Sequence, residues 1–178
     1  MPIIIGNMKA LNMHYDELWF IMRSMDWYYK KKKPSKYFTQ YSDEIIGANY
    51  RFLMQPNVKI IQDLAPSHDL FTWYMSQKSR GQWDQKAFDV FYAPCFLKDL
   101  STQQDSIDRL YELRDADRQG KTILLVCACQ EESMCHRSII AGVLRGGDVN
   151  VTSSFGTNMS CYDKYYQMYC DMKKKYYK

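Results

Sequence analysis

Several things are missing from this 178-residue chain, and each absence closes off a class of function. No apolar run approaches membrane-spanning length, so no spanning helix and no membrane partner are expected. Residues 1–6 are apolar, but Gly6-Asn7 cuts that run too short for the apolar core of a secretory signal. With no such leader in view, Cys95, Cys127, Cys129, Cys135, Cys161 and Cys170 are expected as free thiols in a reducing cytoplasm. There is no Walker A segment, no Rossmann glycine fingerprint and no HExxH. Gly146-Gly147 follows a helical pattern rather than a strand and reads as a helix stop. No internal repeat and no linker divides the chain. The expectation is one α/β domain over residues 1–178, with an irregular insertion at 30–57 and a basic C-terminal helix or tail at 160–178.

Excess charge of one sign is also small. There are 24 basic and 20 acidic residues, for a net charge of +4. Part of it sits in Lys30–Lys33 with Lys36, and in Lys173–Lys175 with Lys178, each run flanked by tyrosines. A solvated face is the plain reading of such runs. Basic residues interleaved with aromatics also suit single-stranded nucleic acid, which stays open as a partner, as does a second copy of the chain. What the chain does have is a hydrophobic fraction of 46%, with 15 tyrosines and 11 methionines. That is enough to fill a core and excludes disorder as a class. The lysine, tyrosine and methionine usage suits a phage or low-GC bacterial protein.

Strand and helix patterns alternate. Ile3-Ile4-Ile5 reads as a buried strand ending at Gly6. Asp16 reads as the cap of a helix carrying Leu18, Ile21, Met22 and Met25 on one face. A short strand is expected near residues 50–54 and another at Val58–Ile61. Ser67 then caps a helix bearing Leu70, Phe71, Tyr74 and Met75. Further helices are expected at 85–100, kinked at Pro94, and at 106–119, closed by Gly120. A strand at 122–126, a helix at 138–144 and a strand opening at Val149-Asn150-Val151 complete the series. A basic helix over 161–177 follows. This order predicts a compact three-layer α/β/α domain with a mostly parallel sheet, flavodoxin- or Rossmann-like.

The chemistry concentrates in Thr122–Leu144, TILLVCACQEESMCHRSIIAGVL. A buried strand, a short polar loop and a helix start would bring a thiol, an imidazole and a guanidinium to the carboxyl end of a strand. Open α/β sheets bind ligands there, and a helix N-terminus favours anions. Cys135 is the candidate nucleophile, its pKa lowered by the helix start, His136 and Arg137. The plain alternative is a small residue packed where a helix begins. His136 is a candidate base or donor. Arg137 is a candidate anion clamp, or else a structural partner for a buried acid such as Asp63 or Asp69. A Cys-x5-Arg phosphatase loop is excluded, because Cys129 meets Cys135 at the offset where arginine is needed.

Cys127 and Cys129, two apart at a strand end, share a face. Cys135 and His136 are adjacent, which makes joint ligation awkward, so no metal site is expected. Whichever of Glu131 and Glu132 points inward would act as a base or hold a sugar hydroxyl. Ser67, His68 and Asp69 would face the Cys135 loop if their strand neighbours the one at Thr122. Neighbours on a helix point in different directions, so this string is not a hydrolytic triad.

With Leu64-Ala65-Pro66-Ser67-His68-Asp69-Leu70 and Cys135-His136-Arg137 in this order, the chain resembles the domain of unknown function 488 (YeaO-like) family. The strand ending at Cys127 or Cys129, the segment Phe96–Leu100 and the opening strand before Gly6-Asn7 fit the same resemblance. It covers residues 58–151 well and 1–10 loosely. It implies a flavodoxin-like α/β sandwich and no established activity. The catalytic candidates are then Cys135, His136 and Asp69. The ligand-binding candidates are Arg137, Ser67, His68, Cys129, Glu131, Gly6 and Asn7, with Trp73, Trp83 and Tyr92 as stacking or closing groups. The expected ligand is small, anionic and nucleotide-derived, and transfer or hydrolysis is the expected chemistry. The alternatives are a binder without turnover that senses or sequesters a nucleotide signal, and a nucleic-acid-associated protein using the lysine runs.

Overall fold

A computed structural model describes residues 2–23 and 55–176. Five strands form one sheet: β1 (Ile3–Gly6), β2 (Glu17–Phe20), β3 (Val58–Ile60), β4 (Ile123–Val126) and β5 (Val151–Ser153). Their order across the sheet is β3-β2-β4-β1-β5, and every pairing is parallel. The two central strands, β4 and β1, are unbroken apolar runs buried at every position. That is the pattern of a parallel strand covered by helices on both faces. The α/β architecture of Rossmann or flavodoxin type is therefore present, and the sheet is wholly parallel.

Helix α1 (His68–Ser79) starts where Ser67 Oγ accepts the Leu70 amide at 3.2 Å. A continuous rod follows. It comprises α2 (Gln85–Ala87), a π-helical turn at Phe88–Tyr92 and α3 (Ala93–Thr102). Pro94 lies inside this rod, two residues past the π-helical turn, and has no N–H to give to a carbonyl of that turn. Helix α4 (Gln104–Arg118) ends at Gly120, whose φ of +73° suits glycine. Helix α5 (His136–Gly146) is buried from its first residue through Leu144 and packs on β1 and β5. Helix α6 (Lys164–Tyr176) buries Tyr165 and Tyr169 and packs on α3 and α5. Its Lys173, Lys174 and Lys175 lie in the last turn. Among the described residues no helix is long and apolar enough to cross a membrane.

Two expectations need correction. The helix read from Asp16 is strand β2. Leu18, Trp19 and Phe20 are all buried, so the stretch is hydrophobic on both faces rather than along one stripe. Asp16 caps no helix; its carboxylate accepts the Thr122 amide at 2.7 Å and ties β2 to the start of β4. Strand β3 does not neighbour β4, because β2 lies between them. The short strand expected near residues 50–54, most of the 30–57 insertion and the first lysine run fall outside the described residues.

Candidate functional site

The site is built where β2, β3 and β4 end. Val126 closes β4, and the next backbone amide, that of Cys127, still pairs with the sheet through Gly6 O at 3.2 Å. The chain therefore stays extended through this point, and Cys127 and Cys129 project to one side with their Sγ atoms 3.7 Å apart. After a short turn at Glu132–Met134, Cys135 takes an extended conformation and His136 opens α5. This change of backbone state folds the two adjacent side chains together, with Cys135 Sγ 3.6 Å from His136 Nδ1. The awkwardness expected of that pair is thus removed. The three sulfurs lie within 4.8 Å of one another, and Cys127 Sγ is 4.0 Å from the same Nδ1.

The imidazole is held from behind. His136 Nε2 donates to Ile21 O, just past β2, at 2.6 Å. In the neutral ring this leaves the Nδ1 lone pair facing the sulfurs. Burial alone would push the Cys135 thiol up. Hydrogen bonds from the Cys127 and Cys129 thiols and the charges of Arg137 and His136 outweigh burial and hold it well below its ordinary value. Cys127 moves the other way, to about 12: its bond with Cys129 alone would lower it, but its bond with Cys135 and burial prevail. Cys129 is likewise held high by its bonds with Cys127 and Cys135. For His136, burial opposes the charge, but the neighbouring Cys135 raises its pKa overall. Among the three thiols, Cys135 is the one held low.

These groups floor a cavity of about 550 Å³. Phe71, Tyr74, Trp83 and Tyr92 wall it, while Met22, Arg23, Lys78 and Glu131 also line it. The aromatics brace one another: Trp83 meets Tyr74 edge-on at 4.6 Å and Tyr92 at 5.5 Å between ring centroids. The Tyr74 hydroxyl reaches Cys129 Sγ at 4.0 Å.

Of the sequence candidates, Cys129, Glu131, Cys135 and His136 meet at this cavity, with Trp83 and Tyr92. Trp73 stands behind the wall, its ring 4.2 Å from Phe91 and 6.2 Å from Trp83. Arg137 is fully buried and does not line the cavity; its Nη1 donates to Cys129 O at 2.7 Å. It holds the loop that carries a thiol. Ser67 caps α1, while His68 and Asp69 are exposed on its first turn, so none of the three reaches the cavity. This follows from β3 lying one strand further out than expected; only Pro66 of that segment reaches the wall. Gly6 is packed against Ala10 and Ser154, and Asn7 accepts the Lys9 amide at 3.0 Å, both away from the cavity. Of the two loop acids, Glu132 is the one that turns inward. It accepts from Tyr162 Oη at 2.9 Å and from Ser153 Oγ.

Sequence reasoning missed Met22 and Arg23, because their placement depends on β2 being a strand. Arg23 donates to Pro66 O at 2.6 Å and to Gln62 Oε1 and O at 3.3 and 3.1 Å. These partners are neutral oxygens, and none of them cancels its positive charge.

A family model described as "Active DUF488-N3 subclade" (DUF488-N3a) matches residues 55–147. That span includes both quoted motifs and the whole thiol loop. No curated protein and no solved structure matches the chain.

Proposed function

The chain belongs to the DUF488 family, and from that premise we propose that it binds a small, anionic, nucleotide-derived ligand and acts on it through Cys135 and His136. One observation carries this reading: the thiol and imidazole open onto a cavity walled by braced aromatic rings. Such a cavity suits a flat base, which stacks on any π-face. Its size falls in the range of small-molecule sites. Arg23 and Lys78 line the cavity and supply positive charge for an anionic ligand.

The chemistry that fits is transfer or hydrolysis at a phosphate- or ribose-bearing substrate. Cys135 Sγ bonds to phosphorus or the ribose C1′ as the bond to the leaving group breaks, and His136, 3.6 Å from the sulfur, gives its proton to that leaving group. Water or an acceptor hydroxyl then displaces the sulfur and returns the proton to His136. Arg137 serves this step as a positioning residue through the Cys129 carbonyl.

The test is a thermal-shift screen of the purified chain against nucleotides and nucleosides, followed by calorimetry and turnover assays on the hits. The expected result is stabilisation by a nucleotide-type ligand, lost by at least about tenfold in affinity in Trp83→Ala. Cys135→Ser keeps affinity within a few-fold and loses turnover. Binding without turnover in the native protein would replace the enzyme with a binder, and absence of any nucleotide-type ligand would remove the reading.

A further inference from the structure

The cavity floor carries a second property that does not depend on the ligand. We propose that Cys127, Cys129, Cys135 and His136 Nδ1 form a binding site for one soft divalent cation, zinc in the first instance. A tetrahedral zinc ion with Zn–S of about 2.3 Å and Zn–N of about 2.0–2.1 Å requires S···S edges of about 3.8 Å and S···N edges of about 3.6 Å. The Cys127–Cys129 separation is 3.7 Å and the Cys135–His136 separation is 3.6 Å. The Cys127–His136 edge, at 4.0 Å, needs only a few tenths of an ångström of closure. Three sulfurs mutually within 4.8 Å are close enough to share one ion, and thiolate-rich sets select zinc over hard cations.

Two further features belong to the surroundings of the four donors. A histidine that binds metal through one nitrogen usually gives its other N–H to a fixed acceptor. Here His136 Nε2 donates to Ile21 O at 2.6 Å, which presents Nδ1 to the sulfurs. The second is charge. A zinc ion with three thiolates carries a net charge of −1, and the buried guanidinium of Arg137, on which the same three sulfurs and Glu132 act, offsets part of that negative charge. Arg137 Nε and Nη2 have no hydrogen-bond partner among the described residues, which is costly for a buried cation unless a local negative charge compensates. Binding transfers each remaining thiol proton to solvent and forms three Zn–S bonds and one Zn–N bond, with no change of oxidation state. The metal-loaded form has no free Cys135 nucleophile.

The experiment titrates Co²⁺, a coloured stand-in for zinc, into the chelator-treated, reduced full chain, and then displaces it with Zn²⁺. Expected are one equivalent per chain, the strong visible bands of tetrahedral cobalt and near-ultraviolet sulfur-to-cobalt charge transfer, all abolished by one equivalent of zinc. Cys129→Ser, at a half-exposed position, lowers affinity by more than about tenfold. The exposed Cys161→Ser leaves affinity unchanged, and so does Trp83→Ala, which tests the ligand reading separately. A wild-type spectrum without tetrahedral cobalt overturns the site. So does a stoichiometry that falls with Cys161→Ser, or a Cys129→Ser protein that binds as tightly as the native one.

Discussion

Replacing Arg137 with methionine tests whether the floor of the cavity is held by a buried charge. The guanidinium is excluded from solvent, and its one hydrogen bond among the described residues goes to Cys129 O at 2.7 Å. Its charge is opposed by Cys135, the one of the three thiols held low, and by Glu132. Methionine fills a similar volume, so the loss is chiefly electrostatic. A hydrogen bond from a charged donor contributes about 1.5–3 kcal/mol, and breaking a buried charge constellation costs about 3–5 kcal/mol in all. For a chain of this length each kcal/mol moves Tm by about 2–4 °C, so Arg137→Met should lower Tm by roughly 6–20 °C. Glu132→Gln removes one opposing charge and should destabilise on its own. Combined with Arg137→Met it should cost less than the sum, with a coupling of about 1–3 kcal/mol. Urea denaturation of the four proteins, with m-values compared, reads this directly. A cost below about 1 kcal/mol for Arg137→Met, or single costs that add within about 0.5 kcal/mol, would refute the picture of a charge-balanced floor.

Three more outcomes follow from the packing. A Cβ at Gly142 would lie 2.0 Å from the Tyr162 carbonyl oxygen, and one at Gly146 would lie 1.9 Å from Tyr166 Cγ and 2.3 Å from Tyr166 Cβ, whose position the backbone fixes. Gly142→Ala and Gly146→Ala should therefore each destabilise by more than about 2 kcal/mol despite alanine's higher helix propensity, as read by urea midpoints. Ser67→Ala removes the cap of α1 and should cost about 1 kcal/mol in the same assay. Burial alone would raise the Glu17 pKa, but hydrogen bonds from Trp19 and Lys59 and the charges of Lys59 and Lys121 lower it overall. Its stabilisation is therefore complete above the unfolded pKa of about 4.3 and disappears as pH falls through the lower folded value. Glu17→Gln should be less stable than native at pH 7 and lose less on going from pH 5 to pH 3.

The wholly buried elements were legible because their composition leaves one solution. Ile3–Ile5 and Ile123–Val126 are apolar at every position, and Cys127 and Cys129 were expected to meet from their spacing, although the strand ends at Val126 and the chain bends at Ala128. Ser67 was legible as a cap because a hydroxyl before an apolar stripe has a local partner. Strand β2 was not legible. Leu18, Ile21, Met22 and Met25 also satisfy a helical period, and what decides for a strand is pairing with β3 and β4, contacts between residues about 40 and 105 positions apart. The misplacement of β3 followed from that, and with it the expectation that His68 and Asp69 meet the thiol loop. Glu132 and Glu131 could not be told apart locally; the inward choice is made by Tyr162 and Ser153, far along the chain.

The cavity has three sources, and β2 joins them. The thiols come from the β4–α5 loop, the aromatic wall from α1, the loop that follows it and the α2–α3 rod, and Met22 and Arg23 from just past the end of β2. The imidazole is oriented by a carbonyl at that same strand end, 115 residues away in the chain. Ile21 N in turn donates to Val126 O at 3.0 Å, so the carbonyl that fixes His136 is itself fixed by the strand that presents Cys127. A slip of β2 by one residue would reverse which faces its side chains occupy and replace Ile21 O with a carbonyl pointing the other way. The sulfurs would keep their local spacing, since Cys127, Cys129 and Cys135 belong to one short segment, but Nδ1 would no longer be turned toward them. The sulfur cluster is thus a local property of the sequence, whereas the thiol–imidazole pair exists only when the sheet has assembled in register. Chemistry at Cys135 therefore reports on the folding of β2 as well as on the loop that carries the thiol.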